Sequence, residues 1–272
     1  MFDRGSKLAA MIRVEGHFGE LMQGRLGASG PVVLVSLPCP ALAITAQHFH
    51  GTGLTVHGCG QRLLSPSRAR ALLSHLGRSL SGRIFLRSQM PAGGGAGAST
   101  AALVAVAKLA GEIDAARIAK ACIAVEGASD PLMFGDAVQR IWASRLGKTV
   151  SISPKTPSFD VLGGFYGGPV QTRANDNRFP DISDLIAQWP GDNAAEMAAL
   201  ATTSAHRTLA FRGISSDPTE RLAEQFGALG WIIAHTGSAR GLLFAKGTTP
   251  PHARAALIDA GFRNIVSFGS RG

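Results

Sequence analysis

The stretch Gln89-Met90-Pro91-Ala92-Gly93-Gly94-Gly95-Ala96-Gly97-Ala98-Ser99-Thr100-Ala101-Ala102 carries the most pointed chemistry in the chain. It lies between a segment that reads as extended, Arg83 to Arg87, and an alanine-rich helix predicted over Ser99 to Ala110. Glycines lack Cβ, so successive backbone N–H groups can converge on one anion. The helix that follows supplies further unpaired N–H groups and the positive end of its dipole. A triphosphate is the natural guest. Two common phosphate loops do not fit: no Gly-Lys-Ser/Thr follows the glycines, and no acidic residue closes a second strand about 20 residues later. A flexible linker is also glycine-rich, but linkers seldom open directly into a helix with Ser99 and Thr100 at its cap.

Phosphoryl transfer needs charge neutralised at the transferred group and an acceptor hydroxyl held in line. The run Val125-Glu126-Gly127-Ala128-Ser129-Asp130-Pro131 offers two carboxylates for that work. Glu126 ends a helix predicted from Asp114, and Asp130 lies in the turn before Pro131, so both can face one cleft. The plainer alternative, a helix-end residue followed by an ordinary Asp-Pro turn, stays open at this level.

Three stretches carry a resemblance. Pro91-x-x-x-Gly95-Ala-Gly97-Ala-Ser99-Thr-Ala101 resembles the second motif of the GHMP kinases, usually Pro-x-x-x-Gly-Leu-Gly-Ser-Ser-Ala-Ala. Glu15-Gly16-His17-Phe18-Gly19-Glu20-Leu21-Met22-Gln23-Gly24 is similar to the start of the L-threonine kinases of cobalamin biosynthesis and propanediol utilisation, Pro-Gly-Thr-Cys-Gly-Glu-Leu-x-Gln-Gly. His235-Thr-Gly237-Ser-Ala-Arg-Gly241 resembles the third, glycine-containing motif of the superfamily. With motifs near both ends and in between, the resemblance covers essentially the whole chain.

The resemblance implies an α+β fold of two lobes, residues 1–150 and 151–272, with ATP in the cleft between them. The first lobe is expected to be similar to a domain of a small-subunit ribosomal protein, the second ferredoxin-like. Carried over residue by residue, Pro91, Gly93, Gly94, Gly95, Gly97, Ser99 and Thr100 line the nucleotide. Ser99 and Glu126 hold Mg2+. His17, Gly19, Glu20 and Gly237 lie on the acceptor side, and Asp130 bases or positions the acceptor hydroxyl. The implied activity is an ATP-dependent small-molecule kinase of the cytoplasm that makes O-phospho-L-threonine from L-threonine for the cobalamin linker. A homoserine-type kinase is the alternative within the class. The sequence departs from close relatives at Ala98 (usually serine), at Gly94 and Ala102 (lysine and aspartate), and at Gln171 (an acid). A nucleotide-binding relative without turnover is therefore the rival reading.

Composition sets the wider bounds. The chain has 272 residues, 45% of them hydrophobic and 17% charged, with a formal net charge of +9. That is too apolar for general disorder, and long enough to bury roughly 70–75% of the unfolded surface. The 34 glycines show no Gly-X-Y period, which excludes collagen. The longest apolar candidate, Ala98 to Ala110, is short of the ~18 residues that span a bilayer. Leu8 to Ile12 is too short for a signal-peptide core of about 7–15 residues. Three widely spaced cysteines, 39, 59 and 122, give no disulfide framework or zinc pattern.

Of the 27 basic residues 21 are arginine, whose planar fork suits phosphate and carboxylate. Arg68, Arg70, Arg78, Arg83 and Arg87 form one local cluster. A nucleic-acid patch is disfavoured there, because Phe85 is the only aromatic nearby and base stacking needs several. A solvated face is the simpler reading. His17 is placed with substrate by its motif, the other histidines read as ordinary, and Trp142, Trp189 and Trp231 as packing anchors.

The elements that must position these residues follow from period and punctuation. Strands are expected at 32–37, 41–47, 54–57, 149–153, 159–165, 170–172, 231–235, 242–245 and 265–268. Helices are expected at 67–76, 99–110, 114–125, 134–144, 182–189, 193–204, 218–229 and 251–260. Residues 173–180 read as a polar junction between lobes.

Overall fold

The residues of the first motif lie on strand β1 (Met11–Arg25), which is buried on both faces from Gly16 to Gly24. Burial on both faces erases the in–out alternation by which a strand announces itself. The computed structural model describes residues 11–153, 155–170, 175–189 and 191–270. After β1 come β2 (Val32–Phe49), β3 (Leu54–His57), α1 (Pro66–Leu76), β4 (Gly82–Ser88), α2 (Ala98–Leu109) and α3 (Ala115–Glu126). A short 3-10 turn (Ala137–Gln139) leads to β5 (Arg140–Ala143), β6 (Lys148–Ile152) and β7 (Phe159–Phe165). Then follow α4 (Ser183–Ala187), α5 (Ala194–Arg212), α6 (Thr219–Gln225), β8 (Gly230–Ile233), β9 (Ala239–Ala245), α7 (Ala253–Asp259) and β10 (Arg263–Gly269).

The strands form a mixed sheet in the order β10-β7-β9-β8-β1-β2-β4-β3, with β5 on β2 and β6 on β5. Among the described residues one ladder pair joins its two halves, Glu20 of β1 opposite Ile233 of β8. Gln23 reinforces the seam: its Nε2 donates to the Ile233 carbonyl at 3.1 Å, and its backbone N–H donates to Ser204 Oγ of α5 at 2.9 Å. Helix α2 packs on β1 and β2, and α5 on β1 and β8. Every residue of α2 from Ala98 to Ala107 except Ser99 is buried. A helix apolar all round belongs inside, and its alanines let it press close to the sheet.

Three expectations change. Pro38 and Pro40 do not divide β2: Pro40 falls in an irregularity of the β1–β2 pairing, where Glu15 faces Ala43 and the next residue, Gly16, faces Cys39, and the strand resumes with Pro38 opposite His17. A missing N–H is tolerated at such a bulge. The helix expected over 134–144 is instead the 3-10 turn and β5: Trp142 is fully buried with Nε1 donating to the Ser129 carbonyl at 2.7 Å, so sheet pairing wins over local propensity. Helix α5 runs on to Arg212, eight residues past the expected end. Gln171, and with it most of the strand expected over 170–172, lies outside the described residues. Among the described residues no helix is long and apolar enough to cross a membrane.

Candidate active site

Residues 89–97 carry the chain from β4 to α2 through left-handed glycines at 93, 95 and 97, with φ of +70°, +76° and +76°. The loop is clamped from behind by the third motif. The Gly94 carbonyl accepts from the N–H groups of Ser238 at 3.0 Å and Ala239 at 2.9 Å, and the Gly93 carbonyl from Val170 at 2.9 Å. A Cβ on Gly95 would stand 1.9 Å from the Thr236 carbonyl oxygen, and one on Gly237 2.4 Å from the Gly95 nitrogen. The first motif closes the other side: His17 N–H donates to the Ala96 carbonyl at 3.1 Å, and a Cβ on Gly97 would fall 2.7 Å from the His17 ring. Three stretches far apart in sequence thus meet around one loop.

Pro91 shapes the entry, its carbonyl accepting from Gly94 N–H at 3.1 Å. Gly94 has the Phe165 ring 2.8 Å from where a Cβ would sit, so the lysine that the resemblance led one to expect at this position has no room here. Ala102, at the aspartate position, is fully buried beneath the sheet. Gly19 permits the bulged course of β1 at φ +71° and packs against Ile232. Bulges of this kind re-aim side chains beside functional sites, and β1 shifts register on either side of Glu20.

The cap of α2 differs from expectation. The helix starts at Ala98 with Gly97 as cap and no side-chain cap bond, so its first N–H groups stay open to a ligand. The hydroxyls of Ser99 and Thr100 go elsewhere. Ser99 Oγ donates to Glu126 Oε1 at 2.5 Å, while Thr100 Oγ1 accepts from the Asp130 N–H at 3.3 Å. Neighbouring residues on one helical turn therefore tether the end of α3 at Glu126 and the backbone of Asp130. The Trp142–Ser129 bond fixes the loop from below.

Asp130 meets the first motif through His17, whose Nε2 lies 3.6 Å from Asp130 Oδ2 while Nδ1 lies 3.2 Å from Glu20 Oε1. His17 and Glu20 are buried, and neither Glu20 oxygen has a hydrogen-bond donor of good geometry. An unpaired buried charge costs several kcal/mol, so the imidazolium is what makes this carboxylate tolerable. Burial alone would lower the His17 pKa, but the Glu20 and Asp130 carboxylates outweigh it and raise it to about 9. Burial raises Glu20 to about 7 against the pull of His17. Asp130 is only half-buried, its side chain 24% exposed, and against the desolvation it does suffer His17 and Thr100 hold it below the usual carboxylate range.

Sequence reasoning missed the cationic rim. Arg68 of α1, read there as surface, donates to Ser99 Oγ at 3.2 Å and pairs with Glu126. His235 stacks on Phe179 at 4.1 Å with both ring nitrogens unbonded. Burial, then Arg145 and Arg212, push its pKa well below the ordinary value, so it is neutral. Arg212 donates to the His235 carbonyl at 2.9 Å and lies 5.3 Å above Phe179. It lines, with His235 and Gly237, a cavity of about 230 Å³. Arg240 lines it as well, but Asp217 at 2.6 Å cancels its charge. The only sequence signal for this rim was the surplus of arginine.

Among the described residues no cluster of three or more His, Cys, Asp or Glu stands ready to cage a metal. Mg2+ in phosphotransfer sites needs no such cage, since it uses one or two protein oxygens plus phosphates. The hydroxyl and carboxylate of Ser99 and Glu126 are hard oxygen donors of that kind, and they already attract a cation, the Arg68 guanidinium.

No family model matches the chain, and no curated protein matches its sequence. Solved structures do. A phosphotransferase related to the CoA biosynthesis pathway superposes with a TM-score of 0.63 at 14% identity, over 96% of each chain. The Streptococcus pneumoniae phosphomevalonate kinase gives 0.62 at 12% identity over 97% of this chain and 99% of its own. The Methanococcus jannaschii mevalonate kinase gives 0.61 at 13% over 98% and 99%. The chain has the α+β fold of the GHMP kinases.

Proposed function

We propose that the protein is an ATP-dependent kinase that transfers the γ-phosphoryl group to the hydroxyl of a small acceptor, with L-threonine as the acceptor and O-phospho-L-threonine as the product. In this reading residues 1–150 form the nucleotide lobe and 151–272 the second lobe. One observation carries it: the first turn of α2 holds an open glycine cradle, the Ser99–Glu126 pair and the Thr100–Asp130–His17–Glu20 chain together. The cradle takes the phosphates of ATP through backbone N–H groups and the helix dipole. Ser99 and Glu126 hold Mg2+, which when bound neutralises phosphate charge.

Asp130 accepts a hydrogen bond from the acceptor hydroxyl and aligns its oxygen on the γ-phosphorus. As the new O–P bond forms and the bond to ADP breaks, the hydroxyl proton passes to Asp130. The transition state of phosphoryl transfer is loose, so alignment counts for more than basicity. A depressed Asp130 pKa is therefore no handicap. His17 keeps Asp130 ionised and fixed, and Glu20 keeps His17 charged.

The acceptor carboxylate faces Arg145 and Arg212. Arg145 Nε is buried without a partner, and Arg212 lines the neighbouring cavity. An acceptor anion satisfies both. L-Threoninamide, which keeps the hydroxyl and lacks the carboxylate, tests this. Loss of one charged hydrogen bond of about 1.5–3 kcal/mol is about 10- to 150-fold in kcat/KM. Equal use of acid and amide would remove the carboxylate assignment, and faster use of homoserine or serine would change the acceptor.

A pH prediction follows from His17. Its folded pKa of about 9 exceeds the ordinary histidine value of 6.5, so the folded state binds the extra proton. Its contribution is fully present below 6.5 and is lost as pH rises through about 9. The melting temperature is expected to fall across that window, and His17→Gln to remove this part of the fall. Identical slopes in the two proteins would show that His17 is not held as an imidazolium.

A further inference from the structure

Arg68 is out of place by ordinary rules. It sits in the first turn of α1, where Ser65 Oγ accepts its backbone N–H at 3.2 Å, and no acidic residue shares that turn. Its guanidinium reaches the first turn of α2, at Ser99. Both helix ends carry positive partial charge, which disfavours a cation at each of them. Ser99 and Glu126 are what hold the guanidinium there. Its side chain is 39% exposed, so it can leave without opening the core.

These are also the two oxygens assigned above to the divalent cation. A guanidinium and a metal ion cannot share one carboxylate oxygen at bonding distance. The vacated position lies beside the glycine cradle, where phosphate charge arrives. We infer that Arg68 is an exchangeable cation: it occupies Ser99 and Glu126 in the nucleotide-free protein, yields them to the divalent metal, and then pairs with the nucleotide phosphates. Binding of nucleotide and metal is coupled through this one side chain. The inference rests on the kinase reading for the phosphate half, but its metal half stands without turnover.

Arginine suits both positions because its planar fork pairs with carboxylate and phosphate alike. In the free state it keeps Glu126 from being a bare anion against the phosphate site. In the loaded state it adds a donor on the side of the nucleotide facing α1. A purely structural Arg68, tying α1 to α3, would affect stability and leave metal affinity alone.

The test is a titration of the nucleotide-free protein with Mn2+, following free Mn2+ by electron paramagnetic resonance. Arg68→Gln removes the competitor, and Mn2+ is expected to bind about five- to tenfold tighter than in wild type. The same variant is expected to bind metal-free ATP, in EDTA, about five- to tenfold more weakly. Arg68→Lys keeps the charge without the fork and should fall between the two in both assays, which guards against a folding defect in the glutamine variant. Mn2+ affinity unchanged or weakened in both variants would overturn the exchange. Wild-type protein that binds Mn2+ as described but binds no ATP would overturn the kinase reading and the phosphate half together, leaving the competition for metal in place.

Discussion

Asp130→Asn is expected to lower kcat by about 10²–10⁴-fold, the range for a positioned group that takes or aligns a proton, while the affinity for Mg-ATP stays within a few-fold of wild type. The separation follows from where Asp130 is tethered. Its backbone is held by Thr100 and its loop by Trp142, so the amide occupies the same place as the acid. The nucleotide cradle is built from other residues, 91–97 and the start of α2. What the amide lacks is the charge that faces His17 at 3.6 Å and the lone pairs that receive the hydroxyl hydrogen. Among the described residues Glu20 is then the one carboxylate left facing His17, so the His17 pKa is expected to fall. Stopped-flow or steady-state ADP release measures the rate, and calorimetry the affinity. A variant with wild-type kcat would remove Asp130 from the reaction.

Gly95→Ala is expected to cost about 2–5 kcal/mol of stability. About 1–2 kcal/mol comes from forcing a Cβ into the left-handed region, and about 1–3 kcal/mol from overpacking against a carbonyl oxygen 1.9 Å away. Against a total of about 5–15 kcal/mol this is a large share. The loss has a functional side, because the third-motif loop must back away from the cradle it clamps. Gly111→Ala is the control: its φ is +78°, yet nothing lies within 4 Å of the added Cβ. It should show the conformational cost alone, about 1–2 kcal/mol. Urea unfolding midpoints of the two variants give the comparison. Equal losses would mean that the Gly95–Thr236 seam is looser than described.

Much of the site could be read from residue types in local order. The glycine loop and the alanine-rich helix follow from spacing, because each is a short stretch with its own chemistry, whereas Ser99 and Glu126 were each placed as metal ligands by the resemblance, and their direct contact was not foreseen. What could not be read was produced by the sheet. β1 hides its period by being buried on both faces, so His17 and Glu20 were placed by motif and not by structure. Trp142 sits in a strand because β2 offers an edge, which no local pattern encodes. Arg68 shared a basic cluster with neighbours, yet its destination is set by how α1 lies across α2 and α3. Of that cluster, Arg78 turns to Glu112 at 3.5 Å, so adjacency in sequence did not mean one surface. His235 was legible as part of a motif, but its neutrality depends on Phe179, Arg145 and Arg212 arriving from three other elements.

In the proposed reaction the groups gathered at the first turn of α2 carry a phosphoryl group from ATP to a small alcohol. The decisive experiment follows the transfer of labelled γ-phosphate from ATP to L-threonine, with homoserine and serine in parallel. Labelled O-phospho-L-threonine is expected, formed one for one with ADP, and none when the acceptor or Mg2+ is withheld. Folded protein that labels no acceptor in the presence of Mg-ATP would contradict it.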